Sequence, residues 1–208
     1  MRKLIKEFTA LNTSLMLLIL PLTCLAADSK PGSHCTGIIQ FANSNWVLFQ
    51  NDREGYRLKL PAQLHTALKK RRDMQLAAEE RMPFDYVNFK PAQTSEDFEP
   101  FELGVGVHWN RDNLGTREFA DKKDEGLKDS GAQIVTIRQA YVIAAGIKGV
   151  RDDFRIRQPD GWRSYSRVII PRKDKFFVFL GMLGNDKPVA EYEAVFQKIV
   201  ESFELASP

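Results

Sequence analysis

The feature that most constrains the fold is a run of eight residues that is apolar at successive positions. Residues 176–183 read FFVFLGML, with no charged side chain among them. A strand with one face in water alternates apolar and polar residues, whereas a strand covered on both faces does not. The run therefore predicts a central strand of a sheet that has other elements packed on both faces.

The C-terminal segment predicts a helix that covers one of these faces. Its apolar residues recur at intervals of three and four, the spacing of one helix face, and they are Val189, Tyr192, Phe196, Ile199 and Phe203. Pro188 stands at its start, and Glu191 and Glu193 follow in the first turn, where the helix dipole favours negative charge. We expect this apolar stripe to lie in the core.

Other segments predict strands and a second helix. Residues 46–60 predict a strand pair or one bent strand, which Pro61 stops. Residues 101–109 alternate clearly, with His108 on the polar face, where we expect it to be exposed. Next come a charged helix at 114–129, a strand at 134–147 and a hairpin at 154–170.

The N-terminus carries the three zones of a secretory signal peptide. Three basic side chains lie within its first six residues, and residues 14–22 form an apolar stretch that is too short to span a bilayer as a helix. Small residues around Ala26 then supply a cleavage site. We therefore expect residues 1–26 to be removed and the mature chain to be periplasmic or secreted.

Residues 27–45 are rich in Gly, Ser and Pro and predict a flexible tether. Cys35 is the one cysteine that remains after cleavage, so it has either a free thiol or an intermolecular bridge. Cys24 lies where a lipoprotein cysteine stands, although residues 21–24 differ from a lipobox at two positions. Contact with a membrane is expected only if a lipid is attached at Cys24.

The charge balance limits the class of partner. The chain has 30 Lys and Arg against 27 Asp and Glu, and without residues 1–26 it has 27 against 26. A net charge so close to zero gives no general attraction to nucleic acid or to an anionic membrane. We therefore expect no nucleic-acid partner.

Residues 46–208 predict one α+β domain with an insertion at about 62–97. The insertion contains the basic run at 69–72, which predicts a solvated helix face. Pro83 and Pro91 then favour a loop with short strands. The pattern does not determine the register of the strands before residue 100.

The order of these elements resembles the PsbP-like fold, which is shared by PsbP and by bacterial envelope proteins of the DcrB type. The resemblance covers residues 46–205, from the strand that ends in YRLKLP to the terminal helix. Its most recognisable part is an Ile/Val-x-Ser-Phe motif, here Val200-Glu201-Ser202-Phe203. The resemblance implies a central antiparallel sheet flanked by helices. It also implies a mostly non-enzymatic role, as in accessory, chaperone-like or adhesion-related proteins, and no shared site residues.

The sequence lacks the spacing of the familiar catalytic and metal sites. It has no Gly-x-Ser-x-Gly, His-Glu-x-x-His, P-loop or Cys-x-x-Cys motif, and its three histidines fall in three different segments. The acidic pairs Glu79-Glu80 and Asp152-Asp153 are sequence neighbours, so their side chains do not face each other in regular structure. We expect a protein that is not an enzyme and that has no cofactor or metal. A hydrolase whose carboxylates converge from distant positions is the least favoured alternative.

One predicted surface is rich in arginine. The residues QPDG at 158–161 suit a three-residue hairpin loop, which pairs Ile156 with Ser164. In that register one face of the hairpin is apolar, and the other carries Arg155, Arg157, Arg163, Tyr165 and Arg167. Arginine binds carboxylate and phosphate groups in bidentate geometry. This face is the predicted ligand-binding site for a small anion, and a solvated face balanced by acidic neighbours is the alternative.

Export, the resemblance and the absence of catalytic groups together predict an exported, non-enzymatic accessory or binding protein of the bacterial cell envelope. It is expected to act through contact with another envelope protein, by its sheet face or its loops. A binder of a small anionic ligand is the second alternative. The sequence indicates neither the identity of the partner nor the oligomeric state.

Overall fold

The computed structural model describes residues 37–66, 84–92 and 98–206, which form two antiparallel sheets and two helices. The elements in chain order are β1 (Trp46–Asn51), β2 (Tyr56–Pro61), β3 (Leu64–Thr66), β4 (Phe84–Pro91), β5 (Glu102–Trp109), α1 (Thr116–Asp129), β6 (Ile134–Ala144), β7 (Ile147–Gln158), β8 (Gly161–Arg172), β9 (Lys175–Asn185), α2 (Ala190–Glu201) and β10 (Glu204–Leu205). The α+β class is confirmed. Neither of the helices in these ranges is long and apolar enough to cross a membrane.

The strand β9 lies at the centre of the main sheet, as the apolar run predicts. The strand order is β3-β4-β5-β9-β8-β7-β6, and each neighbouring pair is antiparallel. Phe177 and Phe179 pack on one face of the sheet, and Phe176 and Val178 pack on the other. The strands β6 to β9 form a meander, so β6 is the last strand at one end of the sheet that the described residues form.

One face of the main sheet is covered by α2 and by a smaller sheet with the strand order β1-β2-β10. The predicted stripe is confirmed, since Tyr192, Phe196, Ile199 and Phe203 are buried in the main apolar cluster. The helix approaches β9 closely at Gly181, where a Cβ atom would lie 2.6 Å from the ring of Phe196. A residue without a side chain is therefore needed at this crossing.

The opposite face is covered by α1, which runs along the strands. Phe119 stacks on Phe176 with ring centroids 4.2 Å apart, and Leu127 packs in a cluster with Phe154 and Leu180. The helix rises about 12 Å from Phe119 to Leu127. The strand β9 extends about 13 Å from Phe176 to Leu180. The similar lengths indicate that α1 runs roughly along the strands of the main sheet.

The segment before β1 packs in the core, so the tether prediction is wrong for residues 37–45. Phe41 is buried and lies against the ring of Tyr192. The backbone N–H groups of Phe41 and Ala42 donate to the carboxylate of Glu191 at the start of α2. The composition of this segment is that of a flexible linker. It does not indicate the packing, because the partners lie about 150 positions further along the chain.

The insertion prediction is wrong for two of its strands. Both β3 and β4 belong to the main sheet, and β4 forms six residue pairs with β5. Pro91 ends β4 and does not interrupt it. The basic run at 69–72, the predicted signal peptide at 1–26, Cys24 and Cys35 lie outside the described residues.

Candidate functional site

The predicted arginine face is divided between the two sides of the sheet. Gln158 pairs with Gly161 across a two-residue loop, so Ile156 lies opposite Arg163 and not Ser164. A shift of one residue moves every side chain of a strand to the other face. The predicted hairpin register is therefore wrong, and the five residues do not share one surface.

The two halves of that set have different surroundings. Arg155 and Arg157 lie on the α2 side, where both guanidinium groups stack against Trp162. Arg163, Tyr165 and Arg167 lie on the α1 side, and both arginines there form ion pairs with carboxylates. Binding of an anion by these residues stays a prediction, but it no longer rests on a common face.

The ion pairs of Arg167 connect α1 to the sheet. Its guanidinium donates to Asp152 at 2.8 Å and to Asp124 of α1 at 2.8 Å. Asp152 also accepts from Arg117 of α1 at 2.5 Å. Asp152 and Arg167 are both buried, and a buried charge is tolerated only when it is paired, so the stability of this region depends on these ion pairs.

A second polar cluster lies on the opposite face, below α2. Arg151 donates to Asp153 at 2.9 Å and approaches Glu193 of α2 at 3.3 Å. Asp153 also accepts from the hydroxyl of Ser166 at 2.6 Å and from Arg138 of β6. Asp152 and Asp153 therefore point to opposite faces, as expected for neighbours in a strand.

His108 is half-buried and not exposed, because α1 covers the face that was expected to be in water. Its ring lies 5.6 Å from the ring of Phe119, and its Nδ1 atom is 3.5 Å from Nζ of Lys123. Burial lowers the pKa of His108 well below its usual value, and the charge of Lys123 lowers it further. Burial, followed by the charges of Arg167 and Lys122, lowers the pKa of Lys123 to about 8.

The stability of the fold is expected to rise with pH from about pH 8, because of Lys123. The pKa of Lys123 is about 8 in the folded chain, and its ordinary value is 10.5. Between these two pH values, Lys123 keeps its proton in the unfolded chain and has lost it in the folded chain. The free energy of unfolding should then rise with a slope of up to about 1.4 kcal/mol per pH unit. Urea unfolding between pH 8 and about pH 9.5 measures this slope.

The control for this prediction is a second lysine on the same helix. Lys123→Met should flatten the slope, whereas Lys128→Met at the exposed end of α1 should keep it. The pH range stops below pH 10 because burial raises the pKa of Tyr165 to about 12, an effect that lowers stability at higher pH. Equal slopes for the wild type and Lys123→Met would contradict the assignment.

A groove with a volume of about 1020 Å³ lies between α1 and the end of the main sheet. One wall is formed by α1 and by Leu114 and Gly115 just before it, and the other by Tyr141, Lys148 and Val150 of β6 and β7. We name it the α1–β6 groove. It is partly open to solvent, unlike the concave pockets that enclose most of a small ligand. This shape suits an extended polypeptide segment.

The strand beside this groove exposes large apolar side chains. The exposed fractions are 42% for Val135, 55% for Ile137, 68% for Tyr141 and 74% for Ile143. No strand among the described residues pairs with the outer side of β6. We name these four side chains and the outer backbone of β6 the β6 edge.

The helix wall of the groove carries a row of carboxylates. Asp121, Glu125 and Asp129 follow one another at intervals of four, which places them on one flank of α1. None of the three has an ion pair or hydrogen bond from its side chain to another group within residues 37–66, 84–92 and 98–206. Two cations of the same helix, Arg117 and Lys122, already have carboxylate partners. The unpaired charge of the helix wall is therefore negative.

The described residues of the groove offer groups for recognition. In the part of the chain that the structure describes, no three His, Cys, Asp or Glu side chains are grouped as metal ligands. Among the described residues that line the groove, Tyr141 is the one aromatic side chain, and the Lys148 ammonium lies 3.9 Å from its ring centroid. The groups available to a ligand are therefore apolar surface, carboxylates and a strand backbone.

Comparison with known proteins shows similarity in fold only. No protein-family model matches the chain, and no curated protein matches its sequence. The solution structure of cyanobacterial PsbP (CyanoP) from Synechocystis is 13% identical, with a TM-score of 0.56 over 89% of this chain and 99% of that one. The Ran-binding protein Mog1p of Saccharomyces cerevisiae is 12% identical, with a TM-score of 0.56 over 79% of this chain and 97% of that one. The chain therefore has a PsbP-like fold, as the resemblance in its sequence implies.

Proposed function

We propose that this chain is an exported, non-enzymatic accessory protein of the cell envelope that binds another protein through the α1–β6 groove and the β6 edge. The observation that carries the proposal is the exposure of four apolar side chains on β6, of which Tyr141 and Ile143 lie on the groove side of the sheet and Val135 on the other side. Exposed apolar surface of this kind, next to polar groups, is typical of protein interaction sites.

The composition of β6 supports contact with a partner. Natural edge strands are usually short or carry proline, lysine or inward-pointing charges, which prevent pairing with other chains. The eleven residues of β6 contain no proline and no lysine, and Arg138, the single charged residue, pairs with Asp153 of β7. A bulge between Thr136 and Arg138 is such a feature in the first part of β6, but residues 139–144 have none and are expected to be covered when the protein is at work.

The fold and the N-terminus support the remaining parts of the proposal. Mog1p, which has the same fold, is a Ran-binding protein, so this fold is compatible with a role in protein binding. The three zones of the predicted signal peptide at 1–26 support export. Binding of a small anion has less support, because Arg163 and Arg167 already have carboxylate partners.

Changing the β6 edge is expected to abolish capture of the partner. The variant Tyr141→Ser with Ile143→Ser removes two exposed apolar side chains that are not in a buried cluster, so the fold should be retained. Envelope extract from the source cells is passed over the immobilised variant and over the wild type, and bound proteins are identified by mass spectrometry. Proteins recovered with the wild type should be lost with this variant.

The matched control is Leu48→Ser, which removes an exposed apolar side chain from β1 in the smaller sheet. This variant should recover the same proteins as the wild type. If the β6 variant also recovers them all, the β6 edge is not the contact surface. If the wild type repeatedly recovers none, the proposal of an envelope partner fails.

A further inference from the structure

We propose that the partner presents an extended, cationic segment, which adds to the outer side of β6 as a further strand and places its basic side chains in the α1–β6 groove. This inference rests on the proposed function and specifies the chemistry of the bound segment. Three observations carry it: the unpaired backbone of β6, the spacing of the carboxylates on α1, and the charge of the helix wall.

The backbone of β6 provides the first argument. Its eleven residues are paired with β7 on one side only, within the residues that the structure describes. In an antiparallel arrangement every second residue directs its N–H and C=O groups outward. A bulge between Thr136 and Arg138 interrupts this alternation, so the regular part of the outer side is residues 138–144, with about three such residues. Backbone groups of this kind bind an added strand, and the side-chain positions then determine which sequence is accepted.

The spacing of the carboxylates provides the second argument. Residues four apart in a helix are separated by about 6 Å along its axis, and this is the interval between Asp121, Glu125 and Asp129. Side chains on one face of a strand repeat at about 6.7 Å. Because α1 runs along the strands of the sheet, a segment that pairs with the outer side of β6 would place its alternate side chains opposite successive carboxylates.

The charge of the groove provides the third argument and selects basic side chains. The three carboxylates have no partner among the described groups, whereas Arg117 and Lys122 are already paired. Lys148 is the remaining cation among the described residues of the lining, and its ammonium lies over the ring of Tyr141. Lysine and arginine also have long apolar stems, which can cover Tyr141 and Ile143 while their charged ends reach the carboxylates.

The test uses a fluorescein-labelled peptide of sequence TKVKTKVKT, titrated with the full mature chain and followed by fluorescence anisotropy. Binding should be measurable and should weaken as salt is added. A peptide with glutamate in place of every lysine should not bind. Equal binding of the lysine and glutamate peptides would overturn the charge assignment.

Carboxylate variants locate the charge. The variant Asp121→Asn, Glu125→Gln, Asp129→Asn keeps the shape of the groove and should raise the Kd by about tenfold or more. The matched control is Asp174→Asn, Asp186→Asn, Glu204→Gln, which removes three exposed carboxylates that do not line the groove and should leave the Kd unchanged. Equal effects of the two triple variants would overturn the proposal.

Methylation of the peptide backbone tests strand addition directly. Two peptides are N-methylated at alternate residues, one at the odd positions and one at the even positions. One of them should lose binding, because its blocked N–H groups face β6, and the other should retain it. If both bind as well as the parent peptide, the segment is held by charge alone and the strand-addition model is wrong.

Two further outcomes separate this inference from the proposed function. If envelope proteins are captured through Tyr141 and Ile143 but no lysine peptide binds, the contact surface stands and the strand-addition model fails. If neither binds, both fail. A wild-type dimer in sedimentation velocity that Tyr141→Ser with Ile143→Ser converts to monomer would assign the β6 edge to a second copy of the chain and overturn the inference.

Discussion

Replacing Phe203 by alanine is expected to lower the free energy of unfolding by about 4 kcal/mol. The ring is buried between the two sheets, 5.2 Å from Phe177, 5.3 Å from Phe179 and 6.0 Å from Tyr56 in centroid distance. Removing it leaves a cavity at the point where the end of α2, the smaller sheet and the main sheet meet. Urea unfolding followed by circular dichroism measures the change.

Two controls show whether the loss comes from the cavity. Phe203→Leu keeps most of the buried volume, so it should cost less than about 1.5 kcal/mol. Leu48→Ala shortens an exposed side chain and should change stability by less than about 0.5 kcal/mol. If Phe203→Ala and Leu48→Ala had the same effect, Phe203 would not be a core residue.

Replacing Asp152 by alanine is expected to cost about 3 kcal/mol of stability. The buried carboxylate accepts from Arg117 and Arg167, and without it the Arg167 guanidinium stays buried with Asp124 as its remaining carboxylate partner. A buried charge that loses a partner is no longer compensated for its lost hydration. The same urea unfolding measurement applies, with the near-ultraviolet signal reporting on packing around α1.

A double replacement separates the charge effect from the loss of a side chain. Asp152→Leu with Arg167→Met puts apolar groups at both positions, so it should recover part of the lost stability, although Asp124 then loses Arg167 as its partner. Asp121→Asn changes a carboxylate of α1 that has no partner among the described residues, and it should be nearly neutral. If Asp152→Ala were as mild as Asp121→Asn, the ion pairs would not be holding α1 to the sheet.

Local patterns in the sequence were sufficient for most of the helices and strands. The run at 176–183 has no polar face, and the final helix has one apolar stripe, so burial of β9 and α2 followed from periodicity alone. The segment around Phe41 was misjudged because its composition resembles a linker, while its packing depends on Tyr192 and Glu191 far along the chain. Such contacts leave no periodic trace in a single sequence.

The candidate site was less predictable, for two physical reasons. The predicted hairpin register assumes one apolar face and one polar face. Both faces of the hairpin are covered, and Arg167 is buried with carboxylate partners. Alternation therefore did not distinguish the two faces. Apolar residues occur in both phases of β6, as they do in a central strand, and only the order of strands in the sheet places β6 at its end.

The opposite orientations of Asp152 and Asp153 disfavour pairing of β7 with β6 and β8 in a wrong register. Asp152 meets the arginines beneath α1, and Asp153 meets those beneath α2. If β7 slipped by one position against its neighbours, each of the two carboxylates would point to the opposite face of the sheet, away from its arginine partners. Both helices would lose their polar contacts to β7 in the same event, so a slipped register is disfavoured on both faces of the sheet at once.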